Sequence, residues 1–194
     1  MIDYERNREL FYECVSLYIS RDGIEDLMHW LDTETDFFTA PCSTRFHLNI
    51  KGGLCQHSLN VLKAVFRFYS MYDLHVSTET LAITSLFHDL CKINTYQEEL
   101  RWTKDPSDPN AKWKQVSSYK FQEEFAYGHS EKSVFYLQQF IRVEPYEAQA
   151  INGHMGFSDV RGANLIGNIF TQNKLAILLH VADLYATYFM EEES

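Results

Sequence analysis

Apolar residues recur at helical spacing over most of the chain. Leu10, Phe11, Cys14, Val15, Tyr18 and Ile19 fall on one face, which predicts a helix over 3–19. Asp22-Gly23 interrupts it, and a short second helix is predicted over 24–31. Residues 32–53 include Pro41, Gly52 and Gly53 and show no period; they read as a long ordered loop, uncommon unless it serves a site. Helical spacing returns with Leu54, His57, Ser58, Val61, Leu62, Val65, Phe66 and Tyr69. Ser77 is a candidate N-cap for a helix through Leu81, Ile83, Leu86, Phe87 and Leu90, whose end carries His88-Asp89. Between 100 and 125 the pattern changes: Trp102, a turn cluster over 105–110, then Trp113, Val116, Tyr119 and Phe121 in imperfect alternation. That predicts an inserted β-hairpin or irregular flap. Helical spacing resumes over 130–141, 144–153, with Pro145 in its first turn, and 174–190. The expectation is an all-α bundle, a single domain over 1–194, with the flap as its one departure.

Composition narrows the function classes. A chain of 194 residues, 45% hydrophobic and 15% aromatic, builds a full core. Its net charge of −10 argues against a protein that coats long nucleic acid, which needs a basic face. A small phosphorylated substrate stays compatible, because a bound cation reverses the field inside a cleft. Cys14, Cys42, Cys55 and Cys91 show no CxxC spacing, so reduced thiols in a cytoplasmic protein are expected. The first residues are charged where a signal peptide is apolar, and no apolar run is long enough to span a bilayer.

The candidate chemistry lies in histidines and aspartates at element ends. His57 comes early in one predicted helix, His88-Asp89 closes the next, His129 opens another, His154 closes another, and Asp183 lies in the last, three residues after His180. Imidazole nitrogen and carboxylate oxygen suit first-row divalent ions, and helices are rigid mounts for ligands that converge inside a bundle. Adjacent His and Asp point about 100° apart on a helix, so they serve one ion only near a helix end, or two ions side by side. Burying two carboxylates without a counter-charge is costly, which weighs against a purely structural cluster.

The order and wording of these residues resemble the HD-domain superfamily of metal-dependent phosphohydrolases. The match is carried by Gly52-Gly53-Leu54-Cys55-Gln56-His57-Ser58, by His88-Asp89-Leu90-Cys91-Lys92 and by His180-Val181-Ala182-Asp183, and covers about residues 38–190. Gly128-His129-Ser130 and Gly153-His154-Met155-Gly156 resemble the two extra histidines of branches that hold a second metal. The Phe-Thr-Ala-Pro lead at 38–41 is similar to that of small phage-borne or gut-bacterial members, and the HD domain of a bacterial 3′→5′ exoribonuclease is similar too.

The resemblance implies one or two divalent ions (Mn, Fe, Ni, Co or Mg) on His57, His88, Asp89, His129, His154 and Asp183. It implies hydrolysis of a nucleotide or related phosphoester or phosphodiester by metal-activated water, with Lys92 contacting a phosphate oxygen. Arg45 and His47 are candidate lining of the substrate pocket. His180 reads as a partner of a ligand rather than a ligand, and Cys55 and Cys91 as small buried residues. The flap aromatics Trp102, Trp113, Tyr119, Phe121, Phe125 and Tyr127 could stack a nucleobase or pack on the bundle; packing is the expectation. Alternatives are a phosphodiesterase for cyclic nucleotides or oligonucleotides, a metal-organised binding or sensor domain without catalysis, and a di-iron oxygenase.

Overall fold

The computed structural model describes residues 3–44, 46–72, 74–104, 110–123, 126–158 and 162–191. Among these it forms eight α-helices and one two-stranded antiparallel sheet, a mostly-α fold with a small hairpin, as expected. Helix α1 spans Tyr4–Tyr18, α2 Ile24–Thr33, α3 Gly53–Tyr69 and α4 Thr78–Phe87. After a 3₁₀ turn at Leu90–Lys92 come β1, Tyr96–Thr103, and β2, Lys114–Phe121. Then follow α5, His129–Gln138, α6, Pro145–Gly153, α7, Ala163–Gln172, and α8, Lys174–Tyr185, which runs into a π-helical segment at Ala186–Met190.

Helix α3 is the axis of the molecule. Its buried residues include Leu54, Cys55, His57, Ser58, Leu59, Val61, Leu62, Ala64 and Val65, so apolar contacts surround it. One side packs into a cluster built on Phe11, Leu27, Leu31, Phe37 and Phe87; the other meets Ile166, Leu175, Ala176, Leu179 and Ala182. Caps set the helix starts. The Asp3 carboxylate accepts the Arg6 N–H, Ser77 Oγ accepts the Thr80 N–H at 3.1 Å, and Asn173 Oδ1 accepts the Leu175 N–H at 3.0 Å.

The aperiodic stretch before α3 is a fixed loop wrapped on the helix start. Gly52 N–H donates to Thr39 O, Leu54 N–H to Ala40 O and Cys42 N–H to Leu48 O, each at 3.0 Å. The Gly-Gly pair is a packing requirement. Gly52 has φ +80°, and a Cβ on Gly53 would lie 2.1 Å from Leu48 O. Only glycine lets the loop close down on α3 there, and that loop forms one wall of the cleft described below.

Two boundaries and one unforeseen helix depart most from the sequence expectation. The hairpin covers 96–121 rather than 100–125, with Tyr96 paired to Phe121 and Thr103 to Lys114. The turn cluster at 105–109 lies outside the described residues. The last helix is α-helical only to Tyr185 before widening into its π segment. Helix α7 has no counterpart in the sequence reading: Gly167, Asn164 and Asn168 dilute a face on which only Ile166 and Ile169 are buried. Among the described residues, no helix is long and apolar enough to cross a membrane.

Candidate metal centre

Helix α4 stops at Phe87, leaving His88 in helical conformation while Asp89, at φ −107° and ψ 22°, has already left the helix. This is the helix-end geometry that lets an adjacent His and Asp face the same space. His57, one turn into α3, and Asp183, on α8, approach to 3.1 Å between Nε2 and Oδ1. His154 closes α6 and His129 opens α5; their Nε2 atoms lie 3.5 and 3.0 Å from Asp89 Oδ1. Asp89 Oδ2 faces His88 Nε2 at 3.5 Å, His57 Nε2 at 3.7 Å and Lys92 Nζ at 2.6 Å. The four histidines expected as ligands therefore surround the Asp89 carboxylate, whose two oxygens face different pairs, and Asp183 joins through His57 and His88.

The donor atoms form overlapping groups that could hold a metal ion: His57, His88 and Asp183; His88, Asp89 and His154; and Asp89, Cys91 and His129, with ligand atoms within 4.8 Å of one another in each. The ring tautomers suit this use. His88 Nδ1–H donates to Ser85 O at 2.8 Å and His154 Nδ1–H to Ile151 O at 2.6 Å, so each Nε2 lone pair is turned inward. His88 Nε2 is fully buried and has no hydrogen-bond partner. An orphaned acceptor of this kind is costly unless something electrophilic meets it. Burial pushes the His88 pKa down to about 4, which keeps the ring neutral and able to ligate. Burial alone would raise the Asp89 pKa, but the Lys92 charge and the surrounding histidines outweigh it and hold the carboxyl ionised well below its ordinary range. A buried N/O donor set with an aligned lone pair fits a divalent ion.

Two further groups complete the frame, of which the sequence reading missed Glu191 and named Cys91 only as a buried residue. Glu191, just after the π segment, accepts from His57 Nδ1 at 3.0 Å and from Asn60 Nδ2 at 2.9 Å, and lies 3.8 Å from His47 Nε2. Glu191 thus fixes the ring that presents Nε2 to the centre. Cys91 is closer to the chemistry than a buried spacer: its sulfur lies 3.3 Å from His129 Nδ1 and 4.0 Å from Asp89 Oδ1. Burial raises its pKa strongly, so it stands there as a thiol. Cys55 is a small core residue, as expected, with Sγ against Asn7 O. His180 Nδ1 donates to His154 O at 2.7 Å and belongs to none of the donor groups, so it steadies a candidate ligand. Gly156, at φ +58°, leaves room for that ring, which a Cβ would meet at 2.4 Å.

The centre opens into a cleft of about 370 Å³ lined by Cys42, Ser43, Phe46, His47, Lys92, Tyr96, Phe121, Met155 and Thr187 among others. His47 lines it as expected, with Nε2 3.3 Å from Cys42 Sγ; Arg45 lies outside the described residues. Lys92 Nζ sits between Asp89 and Cys42 Sγ, at 3.4 Å from the sulfur, and faces the cleft. A larger depression of about 600 Å³ beside α1 and α2 contains His29 and Glu25 but no convergent donor set. The flap aromatics pack on the bundle only in part: Tyr127 meets Phe135 of α5, but Trp102 and Trp113 are exposed, and Tyr96 and Phe121, at the hairpin base, reach the cleft. Phe125 lies outside the described residues.

Fold and site together define a mostly helical protein with a buried cluster of His, Asp and Cys side chains able to hold a metal ion. Searched against known proteins, the chain matches no family model, no curated protein and no solved structure.

Proposed function

We propose that the chain is a metal-dependent phosphohydrolase of the HD type, acting on a phosphoester or phosphodiester of a nucleotide or related small substrate. The observation that carries this reading is the unpartnered Nε2 of His88, buried at the meeting point of His57, Asp89, His154 and Asp183. Bound divalent ions supply an activated water and neutralise phosphoryl oxygens. Asp89 offers one oxygen to each histidine set, so it would hold an ion together with either set, which favours a two-ion site. Lys92 brings a fixed positive charge to the cleft wall, where it meets a phosphate oxygen as a point charge. Ser85, Ile151 and Glu191 hold three imidazoles in the tautomer that ligation requires.

Two measurements test the reading. Purified protein loaded with Mn²⁺, Ni²⁺, Co²⁺, Mg²⁺ or Fe²⁺ is assayed on nucleotides, cyclic nucleotides and bis(4-nitrophenyl) phosphate. Asp89→Ala is expected to lower hydrolysis by about two orders of magnitude or more while the far-UV spectrum is kept. Full activity in that variant sinks the proposal. Metal content per chain is expected to drop by one in His129→Ala combined with His154→Ala; an unchanged count reduces the site to one ion.

A further inference from the structure

The hairpin has two unlike faces. Strand pairing sets Tyr96 opposite Phe121, Glu98 opposite Tyr119, Leu100 opposite Ser117 and Trp102 opposite Gln115. Alternate residues share a face, so Tyr96, Leu100, Trp102, Tyr119 and Phe121 line one side, with Glu98, Gln115 and Ser117 between them. Trp113, two residues before Gln115, extends that row beyond the strand. The other side carries Gln97, Glu99, Arg101, Thr103, Lys114 and Lys120, with a single apolar position at Val116. The apolar side is open to solvent: Leu100 is 67% exposed, Trp102 63%, Trp113 62% and Phe121 54%. Packing on the bundle is therefore not what these rings are for.

The row begins inside the cleft. Tyr96 and Phe121 belong both to the hairpin and to the wall that faces Asp89 and Lys92. From there it runs outward to Trp102 and Trp113, where Lys104 Nζ sits 5.1 Å from the Trp113 ring centroid. Segment 96–121 holds five Lys or Arg against four Asp or Glu, in a chain of net charge −10. Exposed rings with a lysine on the outermost one, starting at a cleft that carries Lys92, match bases joined by phosphates. We propose that this face is a stacking platform for a short single-stranded oligonucleotide, which leads its terminal phosphodiester to the metal centre. The inference rests on the phosphohydrolase reading and names its substrate class. A long duplex is not the fit, since its bases are already stacked and the remaining surface is acidic.

The test is binding, measured apart from turnover. A fluorescein-labelled deoxythymidine octamer is titrated at low salt, with the protein as purified and after EDTA, following label anisotropy and tryptophan emission. Trp30 is partly buried in the core, so Trp102 and Trp113 report on the hairpin. The octamer is expected to quench tryptophan emission. Trp102→Ala combined with Trp113→Ala is expected to weaken binding about tenfold or more, with Thr103→Ala, on the opposite face, close to wild type. Absence of quenching, or equal affinity in the double variant, overturns the platform. So does sedimentation showing a wild-type dimer that the double variant dissolves, with no response to the octamer; that result gives the face to a second copy. Failure of the phosphohydrolase reading looks different: the octamer binds and quenches, but no metal supports hydrolysis of it or of bis(4-nitrophenyl) phosphate.

Discussion

At the residue scale the cluster depends on groups that touch no substrate. Glu191 holds His57 through Nδ1 and is itself held by Asn60. Glu191→Ala is expected to weaken metal affinity about 10- to 100-fold, read by competition with a chelating dye, while the melting temperature moves little. An unchanged affinity removes Glu191 from the frame. The histidines and aspartates themselves were legible in the sequence, because their types and helix-end positions are informative without coordinates. Glu191 was not: it precedes Glu192 and Glu193, and such a run reads as a solvated tail. Asn60 carried a usable signal, lying three residues after His57 on the same helix face. Cys91 is the small buried residue its spacing implied, but its nearness to Asp89 was not legible, since spacing says nothing of a thiol placed beside a carboxylate by a turn.

At the element scale, one partly buried ion network ties the α1–α2 turn to two helices. Arg21 Nη1 meets Glu147 Oε2 at 2.5 Å and Arg21 Nη2 meets Glu79 Oε2 at 3.2 Å, joining that turn to the starts of α4 and α6. Glu147 is fully buried and also accepts from Thr80 Oγ1. Arg21→Ala strands that carboxylate and is expected to cost about 3–5 kcal/mol in urea unfolding. The network also sets an acid limb. Burial pushes the Glu79 pKa up, but the Ser20 N–H and the Arg21 guanidinium outweigh it, so the folded value is below the ordinary one. The stabilisation is complete above the unfolded carboxylate pKa and drains as pH falls through the folded value. Urea midpoints between pH 6 and pH 3 are expected to decline less in Glu79→Gln than in wild type. Long amphipathic elements such as α1 and α3 declare themselves by spacing. Helix α7 does not, since its period is broken by glycine and asparagine. The exposure of the hairpin's apolar side was unreadable for another reason: alternation marks two faces but not which one meets the bundle.

At the scale of the whole molecule, the candidate ligands come from α3, the end of α4, the start of α5, the end of α6, and α8. An ion shared among them joins elements far apart in sequence, so its binding free energy adds to folding stability. At a hundred times its dissociation constant a divalent ion is expected to add about 2.7 kcal/mol, seen as a rise in melting temperature that EDTA reverses. The rise is expected to be lost in His88→Ala; a persistent rise places the ion elsewhere. The same architecture sorts positions by their tolerance of changed chain length. Residues added beyond the Thr103–Lys114 pair are expected to shift no donor, because the hairpin lines the cleft at Tyr96 and Phe121, the other end of its ladder. The π segment at 186–190 has no such slack. Its wider turn accommodates a residue that an α-helix would not, and deleting one there would rotate everything downstream by about 100°. Glu191 would swing away from His57, and a one-codon loss outside the ligand set would loosen the ring that anchors the centre.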